Sequence, residues 1–174
     1  MRRYVAFLRA INVGGHVVKM DHLRTLCAAV PLANVATFIA SGNVLFDSNK
    51  TPRQLESAIE KALEAALGYP VATMVRSGPD LAAIVERVTA TSLDQEGTLY
   101  VGFLKDPPPA PAVKAVAALS NATDVLSVHG AELYWQCRTS FSESTIVGSR
   151  LEKLVGRAMT VRNYNTVRKL AAKA

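Results

Sequence analysis

The residues whose types and spacing can do chemistry cluster after the first apolar strand. Leu8-Arg9-Ala10-Ile11-Asn12-Val13-Gly14-Gly15-His16 sets a guanidinium, an amide and two glycines just before an expected helix. Glycines at such a junction let backbone amides approach an anion whose charge the helix dipole also favours, so Asn12, Gly14 and Gly15 can cradle phosphate or carboxylate. Arg9 follows the strand directly and emerges at the sheet end, where its fork of donors suits an oxyanion. The spacing fits no dinucleotide or P-loop fingerprint. The competing reading is a loop that needs positive φ at Gly14 or Gly15.

Two further polar groups join this list. Ser41 and Asn43 lie in Ala40-Ser41-Gly42-Asn43, between two apolar runs, where plain hairpin chemistry is the rival explanation. Arg162, Asn163 and Asn165 form a second basic and amide cluster, whose structural alternative is an Asn163 N-cap for a last helix. His16, His22 and His129 show no ligand spacing, so no metal site is expected. Cys27 and Cys137 read as buried thiols, and Ser144 lacks the context of a nucleophile. No catalytic residue or cofactor can be named.

These groups must be held by elements, and the pattern supplies them. Tyr4 to Leu8 is apolar on both faces, which predicts a central strand. Leu23, Leu26, Cys27 and Val30 recur at helical spacing between Met20 and Pro31. Val35 to Ile39 and Val44 to Phe46 form a hairpin. Thr51-Pro52-Arg53-Gln54 opens a helix with a capping box, Leu55, Ile59, Leu63 and Leu67 give it one apolar stripe, and Gly68 and Pro70 stop it. A strand over Val71 to Val75 and a helix through Leu81, Ile84, Val85 and Val88 follow. In a βαββαβ plait the first two strands run parallel, which brings the hairpin turn to the sheet edge where Arg9 and Asn12 emerge.

After a polar segment over 89–97 the pattern recurs. Tyr100-Val101-Gly102-Phe103-Leu104 echoes Tyr4-Val5-Ala6-Phe7-Leu8, and Thr160-Val161-Arg162-Asn163 parallels Met74-Val75-Arg76-Ser77. The expectation is an α+β fold of two tandem ferredoxin-like βαββαβ halves, 1–90 and 97–174, each with a trailing helix and sharing a core. Leu8 to Val35 spans 27 positions against 21 from Leu104 to Val125, so the first copy is about six residues longer. The extra length falls in the glycine loop, opposite the proline turn Lys105-Asp106-Pro107-Pro108-Pro109.

The segments Tyr4 to Gly15, Ala40-Ser41-Gly42-Asn43-Val44 and Thr160 to Val167 together resemble the domain of unknown function 1697 family of mainly bacterial proteins. The resemblance implies two plait-like halves and brings no activity, cofactor or catalytic residue. It departs from the family at Ala10, usually Gly, and at Thr145 after Ser144, commonly Lys.

At 174 residues, 49% hydrophobic and 20% charged, the chain matches a globular protein and lacks the signature of disorder. Its apolar runs are too short to span a bilayer, so a cytoplasmic protein without a membrane partner is expected. A net charge of +6 leaves anionic partners open. The leading expectation is a small anionic ligand or nucleotide bound at the glycine loop. The alternatives are a weak nucleic-acid module and a protein-interaction scaffold without ligand. Against nucleic acid, the strand aromatics Tyr4, Phe7, Phe46, Tyr100 and Phe103 sit in runs that call for burial, whereas a stacking sheet must expose them.

Overall fold

The computed structural model describes residues 1–12, 15–39, 42–93 and 96–174. Among them eight strands and six helices follow in the order β1 (Arg2–Leu8), α1 (Met20–Ala28), β2 (Ala33–Thr37), β3 (Asn43–Ser48), α2 (Pro52–Leu67), β4 (Thr73–Ser77), α3 (Gly78–Thr91), β5 (Thr98–Leu104), α4 (Ala110–Ala117), β6 (Asp124–His129), β7 (Glu132–Cys137), α5 (Gly148–Val155), β8 (Met159–Asn163) and α6 (Tyr164–Ala171). They build an α+β fold with two four-stranded antiparallel sheets, ordered β2-β3-β1-β4 and β6-β7-β5-β8. The chain divides into two compact units, Met1–Ala82 with Leu170–Ala174, and Ala83–Lys169.

In the first unit β1 lies between β3 and β4, and every residue from Tyr4 to Leu8 is buried, as a run apolar on both faces requires. One face of its sheet and the stripe Leu55, Ile59 and Leu63 of α2 share a core with Leu23 and Cys27 of α1. Thr51 Oγ1 accepts from Gln54 N–H while Gln54 Oε1 accepts from Thr51 N–H at 3.0 Å, so the expected capping box starts α2. Gly68, at φ 80°, ends it. The Cys27 thiol is buried and pushed up to about 11 by burial, an inert group.

Three boundaries differ from the sequence reading. The fourth strand is Thr73–Ser77, not Val71 to Val75, because its ladder with β1 begins where Thr73 lies opposite Leu8, the last residue of β1. The second strand stops at Thr37, and Ile39, at φ 52° and half exposed, has left the sheet conformation. The third helix runs on to Thr91, with the Thr89 and Thr91 hydroxyls donating back to the Val85 and Arg87 carbonyls.

β4 is an edge strand, and its outward amides are closed by carboxylates. Thr73 N–H donates to Glu60 Oε1 at 2.8 Å, Val75 N–H to Glu56 Oε1 at 2.9 Å, and Ser77 N–H to Asp80 Oδ2 at 2.8 Å. Arg76 Nη1 covers the Val75 carbonyl at 3.0 Å. An edge saturated in this way cannot recruit another strand. Glu56 is itself buried, so Glu56→Ala strands a buried amide and is expected to lower stability by about 2 kcal/mol. Glu56→Gln, which keeps an acceptor, should lose less than half of that in urea denaturation.

In the second unit Val116, Leu126, Leu133, Trp135, Leu151 and Val155 pack into one hydrophobic cluster. The polar centre of the unit is Asp124, fully buried at the start of β6. Asp124 Oδ1 accepts from Trp135 Nε1 at 2.7 Å and from Ser144 Oγ at 2.8 Å, and Oδ2 accepts from Thr123 Oγ1 at 2.8 Å. Phe141 lies over Tyr100 and Trp135, with ring centroids 4.8 and 4.9 Å away. The sequence reading placed the length difference between copies in the glycine loop, and the β1–α1 connection 9–19 is indeed six residues longer than 105–109. It missed an opposite difference: β7 and α5 are joined by 138–147, where β3 and α2 need only 49–51.

Candidate functional site

The exit of β1 is clamped on two sides. Leu8 N–H donates to the Gly42 carbonyl at 2.9 Å and Arg9 N–H to the Ala72 carbonyl at 2.8 Å, so the hairpin turn and the α2–β4 connection both meet the root of the glycine loop. Gly42 stands at φ 74°, and a Cβ there would lie 2.7 Å from Ile11 Cγ2. Ile11 and Val18 are buried and pin the two ends of the loop to the core. Asn12 Oδ1 accepts from Val18 N–H at 2.6 Å and closes the loop on itself. Between these anchors Gly15, at φ 87°, is exposed, and the His16 ring stacks on Tyr69 with centroids 3.9 Å apart. The Tyr69 hydroxyl is buried and has no hydrogen-bond partner.

Helix α1 begins at this loop without a side-chain cap, since Lys19 occupies the N-cap and its side chain accepts nothing. Its first-turn amides are therefore available to an acceptor from outside the helix. Arg9, His16 and Lys19 are all exposed around the loop. Asp21 in the first turn is a countercharge, drawn aside by Arg24 at 3.2 Å.

Among the expected site residues of this unit, Arg9 and Gly15 are exposed, Asn12 is half-buried and Asn43 is fully buried. Asn43 Nδ2 donates to the Phe38 carbonyl at 3.0 Å, which holds the hairpin closed. Gly14 and Ser41 lie outside the described residues.

In the second unit Asn163 Oδ1 accepts from Asn165 N–H at 2.8 Å, so the amide caps α6 as the structural alternative required. Asn163, Tyr164 and Asn165 nevertheless line, with Gly97, Thr98 and Leu99, a polar cavity of about 160 Å³. Arg162 is not on that wall. It is buried, donates to Thr160 Oγ1 at 2.6 Å and to the Val161 carbonyl at 2.9 Å, and burial pulls its guanidinium down to about 10.

Sequence reasoning missed Glu56 and Glu60, although their i, i+4 spacing beside the apolar stripe of α2 was a usable signal. It also missed Asp124 and Tyr69, whose partners or lack of them arise only in three dimensions. Among the described residues no group of three His, Cys, Asp or Glu is placed to hold a metal ion, and no helix is long and apolar enough to cross a membrane.

Residues 1–134 match the family model described as protein of unknown function, DUF1697. The chain belongs to this family. The DUF1697 chain is also similar in structure to the conserved bacterial protein SP0830 from Streptococcus pneumoniae. The TM-score is 0.79 with 26% sequence identity, over 98% of this chain and 97% of that one. No curated protein matches it.

Proposed function

We propose that this DUF1697 protein binds a small anionic ligand, a phosphate- or carboxylate-bearing metabolite or nucleotide, at the glycine loop after β1. The observation that carries the reading is the uncapped start of α1, its amides unserved by any side chain of the N-cap, in a loop that presents Arg9, His16 and Lys19 to solvent. A helix end of this kind binds anions, and the clasp from Asn12 to Val18 fixes its approach in advance. Gly14, Gly15 and, from the hairpin, Ser41 would complete the cradle, with Asn43 setting the turn from behind.

The same reading takes each unit as a ferredoxin-like plait and the two as an internal repeat. It is supported by the shared strand order, by the shared β-α-β-β-α-β sequence of elements, and by αL glycines at the equivalent helix ends Gly68 and Gly156. A cytoplasmic setting fits its two free, buried cysteines.

Arg9→Gln tests the ligand reading, because it keeps much of the aliphatic stem and removes the charge. Melting in the absence of anion should change by less than about 1 kcal/mol, as for an exposed side chain. The wild-type protein should gain about 2.7 kcal/mol at a hundredfold excess of phosphate over its Kd, and the variant should lose most of that gain. An undiminished phosphate response would remove Arg9 from the site.

A further inference from the structure

Arg2 and Arg3 open β1 side by side, and the alternation of a strand sends them to opposite faces of the sheet. Their surroundings differ. Arg3 lies opposite Asp47 of β3 and pairs with it at 3.2 Å, while Asn34 Nδ2 donates to the same carboxylate at 2.6 Å, and these contacts hold it below the ordinary aspartate range. Arg2 instead lines, with Tyr4 and with Asn49, Lys50 and Thr51 of the turn between β3 and α2, a cavity of about 450 Å³. Among the described residues no carboxylate lines that cavity, and the side chains of Arg2 and Lys50 have no hydrogen-bond or ion-pair partner. Two like charges stand there without a countercharge.

The turn that carries Lys50 is fixed by its own backbone. Lys50 N–H donates to Ser48 Oγ at 3.2 Å, its carbonyl accepts from the Tyr4 hydroxyl at 3.1 Å, and Thr51 is held in the capping box of α2. The start of α2 is thus served within the chain, and the cavity is not a helix end open to a cap. A second cavity of about 340 Å³ shares Met1, Asn49 and Lys50 with the first and extends to Pro31, Leu32 and Ala33. Asp47 borders this second cavity with its charge already taken by Arg3 and Asn34.

We propose that these adjoining cavities at the start of β1 bind a small phosphomonoester, its phosphate between Arg2 and Lys50 and its organic body against Pro31, Leu32 and Ala33. The charge selects the head group. A phosphomonoester carries close to two negative charges at neutral pH and neutralises both cations, with the guanidinium fork on two of its oxygens, whereas a monoanion leaves one cation unmatched. The second cavity gives the ester a wall that inorganic phosphate does not use. Arg2 and Leu8 stand at opposite ends of β1, roughly 20 Å apart, so the site is separate from the glycine loop and does not depend on it.

Amide shifts of the isotopically labelled full-length chain test it, with phenyl phosphate as the probe and benzenesulfonate, a monoanion of similar shape, as the control at matched ionic strength. Phenyl phosphate should give saturable shifts at Arg2, Leu32, Asn49 and Lys50, and Arg2→Gln and Lys50→Gln should each raise the Kd read there at least fivefold. Arg9→Gln should leave it unchanged. Benzenesulfonate and inorganic phosphate should each bind there at least fivefold more weakly than phenyl phosphate. Arg2 and Lys50 are exposed, so both variants should fold, and if either does not, the three anions on the wild-type chain decide. No saturable shift at Asn49 and Lys50, or a Kd indifferent to both substitutions, overturns the proposal. Equal affinity for benzenesulfonate overturns the choice of a dianion, and equal affinity for inorganic phosphate overturns the role of the second cavity.

Discussion

Asp124→Ala should lower the stability of the protein by about 4 kcal/mol at neutral pH. Hydrogen bonds to a charged group contribute roughly 1.5–3 kcal/mol each, and the substitution also leaves the buried Trp135 Nε1 without its acceptor. Ser144 Oγ and Thr123 Oγ1 lose the same partner, though both hydroxyls can turn toward water or backbone. Asp124→Asn keeps one acceptor oxygen and should cost about half as much. The pH dependence follows from the same contacts. Burial pushes the Asp124 carboxyl up, but the hydrogen bonds from Trp135, Ser144, Thr123 and Cys137 outweigh it and hold the group below the ordinary aspartate value of 3.8. A carboxylate lowered by folding stabilises the native state above its unfolded pKa, and that contribution disappears as pH falls through the folded value. The gap between wild type and Asp124→Ala in urea denaturation should therefore narrow as pH falls from neutral through the folded value, the remainder reflecting the acceptor that a protonated Asp124 still offers Trp135. A loss under about 1 kcal/mol at neutral pH would show that the Asp124 network does not organise the second unit.

Gly42→Ala should cost about 3 kcal/mol. A left-handed backbone at φ 74° disfavours any Cβ by about 1–2 kcal/mol, and the added carbon would stand 2.7 Å from Ile11 Cγ2 and 3.2 Å from Leu8 Cβ. Ile11 is fully buried, so it cannot swing into solvent, and overpacking at such a site costs a further 1–3 kcal/mol, roughly. Gly15→Ala is the internal control. Its φ of 87° carries the backbone cost, yet nothing lies within 4 Å of its Cβ, and about 1 kcal/mol should be lost. Thermal unfolding of the pair separates conformation from packing. Equal losses would mean that the hairpin turn is not wedged against the root of the glycine loop.

The elements that were legible in the sequence carried their signals locally. The apolar run Tyr4 to Leu8 had to be a buried strand, and Thr51-Pro52-Arg53-Gln54 with Gly68 delimited α2 from both ends. The glycine loop was legible as a long polar excursion. What its amides do was not, because residue type alone does not say whether Asn12 and Asn43 turn to a ligand or to their own backbone at Val18 and Phe38. Asp124 was invisible for a different reason. Its donors come from positions 123, 135, 137 and 144, and only the fold gathers them. Ala10 shows how a family habit becomes a physical statement: the resemblance expects glycine there, and the backbone does adopt φ 54°, which this chain meets with alanine.

Titration of the isotopically labelled full-length chain with inorganic phosphate, following every assigned backbone amide, reads out whether the proposed anion seats on the start of α1 beside Arg9. Saturable shifts are expected at Gly15 to His22, with Arg9 among them, and should be lost in Arg9→Gln. Shifts scattered over basic residues of both units, or none at residues 15–22 at saturating phosphate, would contradict it.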